Sequence, residues 1–195
     1  MSESNNVEYG LSEVHFAMAT LDDEGVATYG AWQSVPYAQK LTPDKQIAST
    51  DVSADDRIIA TISVLTAIKL SMQFSTFSDE FKKNFLNFAE STNGSLVEKT
   101  TGDKKYVAAG FKVKGDKKNR ILVYPLTEIG SFTESEDSTI EGSSVTVKTS
   151  TLNLTVLPFG FGDDNLAIKE IINSTQENYS AFWNTAYTMP IPKGE

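Results

Sequence analysis

Residues 58–74 read IIATISVLTAIKLSMQF, and this stretch decides the fold. The even-numbered positions from Ile58 to Phe74 are apolar apart from Thr66, while five intervening positions are polar: Thr61, Ser63, Lys69, Ser71 and Gln73. A period of two and many β-branched residues predict a β-strand rather than a helix. Strands of globular proteins usually end after about five or six residues. So long a strand suits the wall of a barrel larger than one small domain can close.

Much of the chain around this stretch also has the pattern of β-structure. Residues 14–18 alternate after a phase slip near residues 10–12, which predicts a strand with a bulge. The polar turn at residues 22–25 leads into residues 26–32 and predicts a hairpin. Residues 121–126 are apolar at both odd and even positions, so we expect that strand to be covered on both faces.

One helix is predicted, over about residues 78–90. Ser78 can cap it, acidic residues follow at its positive end, and Phe81, Phe85 and Phe88 form an apolar stripe. The fold class is therefore mainly β, with one flanking α-helix.

Two segments do not fit the alternating pattern. Residues 42–57 are polar and predict a long loop that is either mobile or completed by another chain. The acidic residues of this loop are Asp44, Asp51, Asp55 and Asp56. Residues 164–195 form a C-terminal extension with an aromatic cluster. We treat 1–195 as one domain that carries these two features.

Composition excludes several functions. The chain has 195 residues, 17 Lys and Arg against 26 Asp and Glu, a net charge of −9 and a pI near 4.7, which disfavours specific nucleic-acid binding. It has no cysteine and one histidine, His15, so thiol catalysis and a two-histidine metal site are excluded. The sequence shows no signal peptide and no membrane span, which predicts a soluble protein made in a cytoplasm.

The sequence predicts no catalytic, cofactor-binding or metal-binding residues. The phosphate-binding and nucleophile motifs are missing, and the aspartates of residues 51–56 lack calcium-loop spacing. We expect His15 to be a packed or interface residue. An enzyme would need paired carboxylates in a pocket, and the sequence offers only a polar loop.

Charge is unevenly distributed along the second half of the chain. Residues 99–120 carry eight basic and two acidic residues, a sum of +6, and residues 121–170 carry two basic and eight acidic residues, a sum of −6. Either these charges complement each other within the subunit, or they lie at opposite ends and favour head-to-tail stacking.

The order of short motifs along the chain resembles the major tail proteins, or tail tube proteins, of long-tailed non-contractile bacteriophages (siphophages) of Gram-positive hosts. The motifs are Tyr9-Gly10-Leu11, Val14-His15-Phe16-Ala17, Asp22-Asp23-Glu24-Gly25, Tyr29-Gly30, Asp79-Glu80-Phe81-Lys82-Lys83, Gly110-Phe111-Lys112-Val113, Gly115-Asp116-Lys117-Lys118, Val123-Tyr124-Pro125, Thr133 to Ser138, Thr151 to Pro158, and Phe182-Trp183 with Pro190. The chain departs from the family at residues 48–62, where members often carry an aromatic- and Asn-rich stretch.

The resemblance implies an antiparallel β-sandwich or barrel of the tail tube type with long inter-subunit loops. It implies self-assembly into a homo-hexamer, a ring of six subunits. These rings stack head-to-tail into a tube through which DNA is ejected without specific binding. The implied partners are the tape measure protein, the tail terminator and the distal tail protein, without a membrane. The implied location is the virion tail, after assembly in the host cytoplasm.

Within this family, two sets of residues gain expected roles. The inter-ring loop would contain Asp44, Asp51, Asp55 and Asp56, and the lumen-facing side of the long strand would contain Thr61, Ser63, Lys69, Ser71 and Gln73. Two alternatives stay open: a tube subunit of a phage-derived injection device (a tail-like bacteriocin or a type VI-like system) and an exported β-sandwich surface protein.

Overall fold

The computed structural model describes residues 10–54, 57–100, 102–134, 140–141, 144–145, 149–161 and 166–192. Within these ranges it contains one α-helix, α1 (Asp79–Phe85), one 3₁₀ turn, Phe182–Asn184, and fourteen strands. The larger strands are β1 (Leu11–Leu21), β2 (Ala27–Ser34), β3 (Ala38–Ala54), β4 (Arg57–Phe74), β7 (Tyr106–Val113), β8 (Ile121–Glu134) and β11 (Ser150–Val156). The short ones are β5 (Phe88–Glu90), β6 (Leu96–Glu98), β9 (Ile140–Glu141), β10 (Ser144–Val145), β12 (Phe159–Gly160), β13 (Leu166–Ala167) and β14 (Glu170–Ile172). The expected mainly-β class is confirmed.

Eight strands form one sheet in the order β2-β1-β7-β8-β11-β4-β3, and β14 pairs with β8. Every ladder between these strands is antiparallel. The predicted hairpin is β1–β2, whose turn is closed by the Asp22 carboxylate, which accepts hydrogen bonds from the backbone N–H groups of Glu24 and Val26. The predicted bulge near the start of β1 lies between Ser12 and His15.

Strand β8 connects the two halves of the sheet. On one edge it pairs with β7, and on the other it pairs first with β14 and then with β11. Its side chains are buried on both faces, as expected from its apolar pattern: Ile121 and Val123 lie in one cluster, and Tyr124 lies in the other. The sheet therefore has two covered faces around this strand.

The main core forms where the sheet curves over itself. Buried side chains of β4 and β11 share one cluster with those of β1, β7 and α1. A row of phenylalanine rings runs through it, with centroid distances of 4.5 Å for the tilted pair Phe74–Phe77, and 4.7 Å and 4.8 Å for the stacked pairs Phe77–Phe81 and Phe81–Phe85. Each such pair adds about 0.5–1.5 kcal/mol beyond the burial of its surface. The apolar face of residues 68–74 is thus fixed against the helix.

The helix α1 (Asp79–Phe85) is shorter than the predicted 78–90. The Ser78 hydroxyl accepts a hydrogen bond from the Phe81 N–H, which confirms the predicted cap. At the other end, Leu86 is extended, and the Lys105 ammonium donates to the carbonyls of Asn84 and Leu86. These bonds satisfy carbonyls that a longer helix would have used. Phe88 consequently lies in β5 rather than on the helix.

The predicted loop at residues 42–57 is wrong as far as the structure describes it. Residues 42–54 belong to β3, which pairs with β4 over nearly its whole length. The segment is polar because it is a strand with little buried surface, not because it lacks regular structure. Asp55 and Asp56 lie outside the described residues.

The C-terminal segment packs on its own subunit. We call residues 173–190 the strap; it crosses the face of β1, β2 and β7 opposite the main core. Trp183 lies within 5.2 Å of Trp32 between ring centroids and stacks on His15 at 4.1 Å. The Tyr187 hydroxyl donates to the Glu170 carboxylate over 2.6 Å. The aromatic cluster predicted from sequence is therefore the lining of a second, smaller core.

Glu13 anchors the strap to β1. Its Oε2 accepts a hydrogen bond from the Trp183 indole N–H at 3.0 Å and lies 2.6 Å from the Lys112 ammonium. Burial opposes the carboxylate charge, but these two donors prevail and lower the pKa of Glu13. Burial lowers the pKa of His15, so the histidine stacks on Trp183 in its neutral form near neutral pH. His15 is a packed residue, as expected.

We expect Leu154→Ala to reduce the free energy of unfolding by about 2–5 kcal/mol, because it opens a cavity in the main core. Leu154 is 1% exposed, whereas Leu166 on β13 is 73% exposed. The matched change Leu166→Ala should stay within about 0.5 kcal/mol of the native value. Urea denaturation measures both, and equal effects would contradict the assigned core.

We expect Gly110→Ala to loosen the strap. A Cβ atom at residue 110 would stand 2.9 Å from two ring carbons of Trp183, which is too close, so the indole would have to shift. It would also lie 3.3 Å from Trp32, which is a tight contact. Tryptophan emission should shift to longer wavelength, and chymotrypsin should cut within residues 173–190 sooner. Gly160→Ala is the control because its Cβ meets no atom within 4 Å. An unchanged emission spectrum in Gly110→Ala would show that the strap is not seated there.

Candidate assembly surface

The hairpin of β3 and β4 runs beyond the rest of the sheet. Strand β11 pairs with β4 only at residues 68–74, and the more distant part of β4 pairs with β3 alone. We call residues 47–54 and 57–66 the arm. At about 3.3 Å per residue, the ten arm residues of β4 extend roughly 30 Å past the sheet.

Every side chain that the structure describes in the arm is exposed. Six of these are large aliphatic side chains, with exposed fractions between 38% and 64%: Ile47, Val52, Ile59, Ile62, Val64 and Leu65. A two-stranded ribbon is at best marginally stable alone in water. Exposed apolar surface of this extent is typical of a segment that contacts another molecule.

A β-bulge separates the arm from the rest of the hairpin. Gln46 pairs with Ala67, and the next residue, Ile47, pairs with Leu65, so Thr66 is an extra residue on β4. The Thr66 hydroxyl donates to the Gln46 carbonyl at 3.1 Å. An extra residue on one strand reverses the faces of all residues beyond it on that strand, because side chains alternate with period two.

The bulge moves the apolar positions of β4 to the other face of the hairpin. Below it, Ile68, Leu70 and Met72 are buried in the core, and the opposite, polar face carries Lys69/Asp44, Ser71/Thr42 and Gln73/Lys40 as cross-strand pairs. Beyond the bulge, toward the tip of the arm, this same face of the hairpin changes from polar to mostly apolar. It carries the cross-strand pairs Ala48/Val64, Thr50/Ile62 and Val52/Ala60. We call these six residues the stripe.

The reverse face of the arm, on the side of the core, is largely polar. It begins with the pair Ile47/Leu65 and continues with two hydrogen-bonded pairs. The Ser49 and Ser63 hydroxyls are 3.0 Å apart, and the Thr61 hydroxyl donates to Asp51 at 2.7 Å. The two faces of the arm therefore differ in chemistry.

The residues expected to line a lumen do not share one face. Lys69, Ser71 and Gln73 lie on the polar face, whereas Thr61 and Ser63 lie on the reverse face with Asp51 and Ser49. The bulge at Thr66 is the physical reason, since it breaks the alternation that the sequence pattern assumed. The structure does not bring these five residues together.

The acidic residues assigned to an inter-ring loop are also separated. Asp44 lies below the bulge on the polar face, where its carboxylate accepts a hydrogen bond from Gln46 at 2.6 Å. Asp51 lies in the arm on the reverse face. Asp55 and Asp56 fall outside the described residues.

The outer edge of β3 is the end of the sheet. Within the described residues no strand pairs with that edge, and its 17 residues include an uncharged run from Gln46 to Thr50. Edge strands are usually shortened, covered or charged, since a bare edge pairs with other strands. The arm thus offers backbone hydrogen-bonding groups as well as apolar side chains.

Opposite charges of the second half of the chain partly meet within the subunit. Lys104 lies 3.0 Å from Glu128, and Lys82 lies 2.8 Å from Glu134. Arg120 lies 2.8 Å from Asp116 and, through that hydrogen bond, lowers the pKa of Asp116 to about 2. Of these three pairs, Lys104–Glu128 alone joins residues 99–120 to residues 121–170, because Lys82 precedes both segments and Asp116 and Arg120 lie in the same one. One ion pair therefore supports complementarity between the two segments within the subunit.

Neither a cluster of metal ligands nor a membrane-spanning helix occurs in the described residues. No group of three or more His, Cys, Asp or Glu side chains there could hold a metal ion. No helix in the described part of the chain is long and apolar enough to cross a membrane.

Comparison with known proteins gives structural similarity only. No family model matches the chain, and no curated protein sequence matches it. Among solved structures, it is similar to a chain of the anti-feeding prophage baseplate, with 7% identity and a TM-score of 0.43 over 90% of this chain and 100% of that one. It is similar to a chain of the sheath–tube complex of an extracellular contractile injection system, with 8% identity and a TM-score of 0.40 over 88% and 99%. A third is the anti-feeding prophage tube-terminating cap, with 10% identity and a TM-score of 0.38 over 88% and 97%.

We expect amide hydrogen exchange to divide β4 at the bulge. In the monomer, amides of residues 59–65 should exchange far faster than those of residues 68–74, because only the latter have a strand on each side and a buried face. Exchange detected by NMR or mass spectrometry measures this. Equal protection along the whole strand would contradict an arm that is bare in the isolated subunit.

Proposed function

We propose that this chain is a structural subunit that polymerises into the tail tube of a long-tailed bacteriophage. The observation that carries the proposal is the arm. Its exposed aliphatic side chains and unpaired strand edge need another protein surface, and further copies of the same chain supply one in a symmetric polymer. The order of motifs along the sequence gives independent support for a tail tube protein.

In this proposal six copies form a ring, and rings stack head-to-tail. The bare edge of β3 pairs with a neighbouring subunit, so that the sheets of one ring join into a continuous wall. The polar face below the bulge, with Lys69, Ser71 and Gln73, lines the channel. A chain with a net charge of −9 suits passage of DNA without adhesion.

The role proposed is structural rather than catalytic. The tape measure protein, the tail terminator and the distal tail protein would contact the tube along its lumen and at its ends. Assembly would take place in the host cytoplasm, and the finished location would be the virion tail. A tube subunit of a phage-derived injection device is a related function that would use the same arm.

A shortened arm tests the proposal. We replace residues 47–66 by Asn-Gly, which closes a two-residue turn at the Gln46–Ala67 pair. The variant should keep a mainly-β circular dichroism spectrum and a thermal midpoint within a few degrees of the native value, since every described side chain that it removes is exposed. Unlike the native chain, it should not form rings or tubes at any concentration.

Sedimentation and negative-stain electron microscopy of both proteins over a range of concentrations give the result. Hollow tubes of uniform width from the native chain alone would support the proposal. Tubes from the shortened variant would remove the arm from assembly. A native chain that forms only a closed, compact dimer would contradict a tube subunit altogether.

A further inference from the structure

A recess of about 310 Å³ lies between β14 and the strap. Three aromatic rings line it, those of Tyr179, Phe182 and Tyr187, together with the carboxylates of Glu170 and Glu177. No lysine, arginine or histidine of the described part of the chain is among its lining residues. The recess is large enough to hold a small organic group.

Glu170 gives the recess a negative charge that the subunit does not neutralise. Its Oε2 accepts a hydrogen bond from the Tyr187 hydroxyl at 2.6 Å, and the described residues supply its carboxylate with no second donor and no ion pair. Burial raises the pKa of Glu170, and the hydrogen bond from Tyr187 offsets that effect only in part. A half-buried carboxylate with a single neutral donor is stabilised when a cation is brought next to it.

The cation that contacts a ring of this recess is engaged elsewhere. The Lys112 ammonium lies 5.0 Å from the centroid of the Tyr179 ring and 2.6 Å from the Glu13 carboxylate. Lys112 is not a lining residue, and Glu13 neutralises its charge. It shows that a ring of the strap already contacts an ammonium group, and it leaves Glu170 without a counter-charge.

The remaining two rings form a corner. Phe182 and Tyr187 have their centroids 6.1 Å apart and their planes at 72°. The face of an aromatic ring carries partial negative charge and attracts cations, and quaternary ammonium groups are typically held between such rings. An anionic ligand would instead be repelled by Glu170 and Glu177.

We propose that this recess binds an organic ammonium group, with Glu170 as its counter-charge and the rings of Phe182 and Tyr187 as its walls. The group belongs either to a free quaternary amine or to a lysine side chain of another protein. Because the strap carries both rings and β14 carries Glu170, the bound group ties the strap to the sheet. The site lies apart from the arm, so it goes beyond the tail tube proposal and does not depend on it.

Two ligands of the same shape test the role of charge on the native full-length chain. Choline carries a trimethylammonium group, and 3,3-dimethyl-1-butanol replaces it by an uncharged tert-butyl group. Choline should bind at least about tenfold more tightly in an NMR titration or by calorimetry at neutral pH. Equal binding of the two compounds, or no binding of choline at about 50 mM, would overturn the proposal.

A matched pair of variants locates the ligand. Glu170→Gln keeps an oxygen that accepts the Tyr187 hydroxyl but removes the charge, and it should weaken choline binding by about tenfold or more. Glu98→Gln is the control, because Glu98 is exposed on β6 outside the recess, and it should change the affinity by less than about twofold. The thermal midpoint shows that both variants fold. A choline affinity that Glu170→Gln leaves unchanged would overturn the assigned site.

Acidification tests the same carboxylate without a substitution. Choline keeps its charge at every pH, so its affinity should fall as the pH drops through the raised pKa of Glu170 and the carboxyl group becomes neutral. The affinity of 3,3-dimethyl-1-butanol should not follow this titration. An affinity for choline that stays constant from pH 8 to about pH 4 would contradict a role for Glu170.

A third probe separates the two sources of the ammonium group. Tighter binding of Nα-acetyl-lysine methylamide than of choline would support a lysine of a protein partner, and the reverse order would support a free quaternary amine. Lys193, outside the described residues, is the chain's own candidate. A choline affinity that rises about tenfold in Lys193→Gln would show that this lysine takes the site, and it would overturn an external ligand.

Discussion

Alternation of side chains along an extended strand is the constraint on which this molecule depends. From residue 68 to residue 74, alternation places four apolar side chains of β4 in the main core with the helix, β1, β7 and β11, and they are almost fully buried. The same rule leaves the part of β4 beyond β11 with exposed apolar side chains that no described part of the subunit covers. One residue, Thr66, decides which face those side chains occupy. The subunit is stable at one end of the hairpin and incomplete at the other.

The two cores support this arrangement in different ways. The main core fixes the lower half of the hairpin through packed phenylalanine rings and buried aliphatic side chains. The strap covers the opposite face of β1 and β7 with partly exposed rings, held by the Glu13 and Glu170 hydrogen bonds. The strap thus depends on a few polar anchors, whereas the base of the arm depends on extensive apolar contact.

Much of this could be predicted from the sequence, because local patterns report local burial. The period of two predicted β4 and its length, and the double-faced apolar pattern of β8 predicted that both its faces are covered. Residues 42–54 were mispredicted as a loop because a strand exposed on both faces has little apolar content. The aromatic content of residues 179–187 was visible, but its docking on β1 and β2 depends on contacts across more than 150 residues.

The two bulges of β4 are also visible in the sequence, as interruptions of the alternating apolar pattern. Adjacent apolar residues occur at Ile58-Ile59 and at Val64-Leu65, and the register shifts of β4 lie beside these two doublets. Two neighbouring apolar residues in an otherwise alternating strand indicate that the phase changes there. Read in this way, the pattern predicts that Thr61 and Ser63 do not share a face with Ser71 and Gln73.

The inner neighbour of β4 is β11. Strand β4 ends at Phe74, and β11 begins 76 residues later, at Ser150. During synthesis at about 5–20 residues per second, the hairpin leaves the ribosome several seconds before the strand that holds it in the sheet. Pairing over so long a sequence separation gives the fold a high contact order and a slow search. The nascent hairpin therefore presents bare strand edges in polysomes, where identical nascent chains are close together, before the subunit that could use them exists.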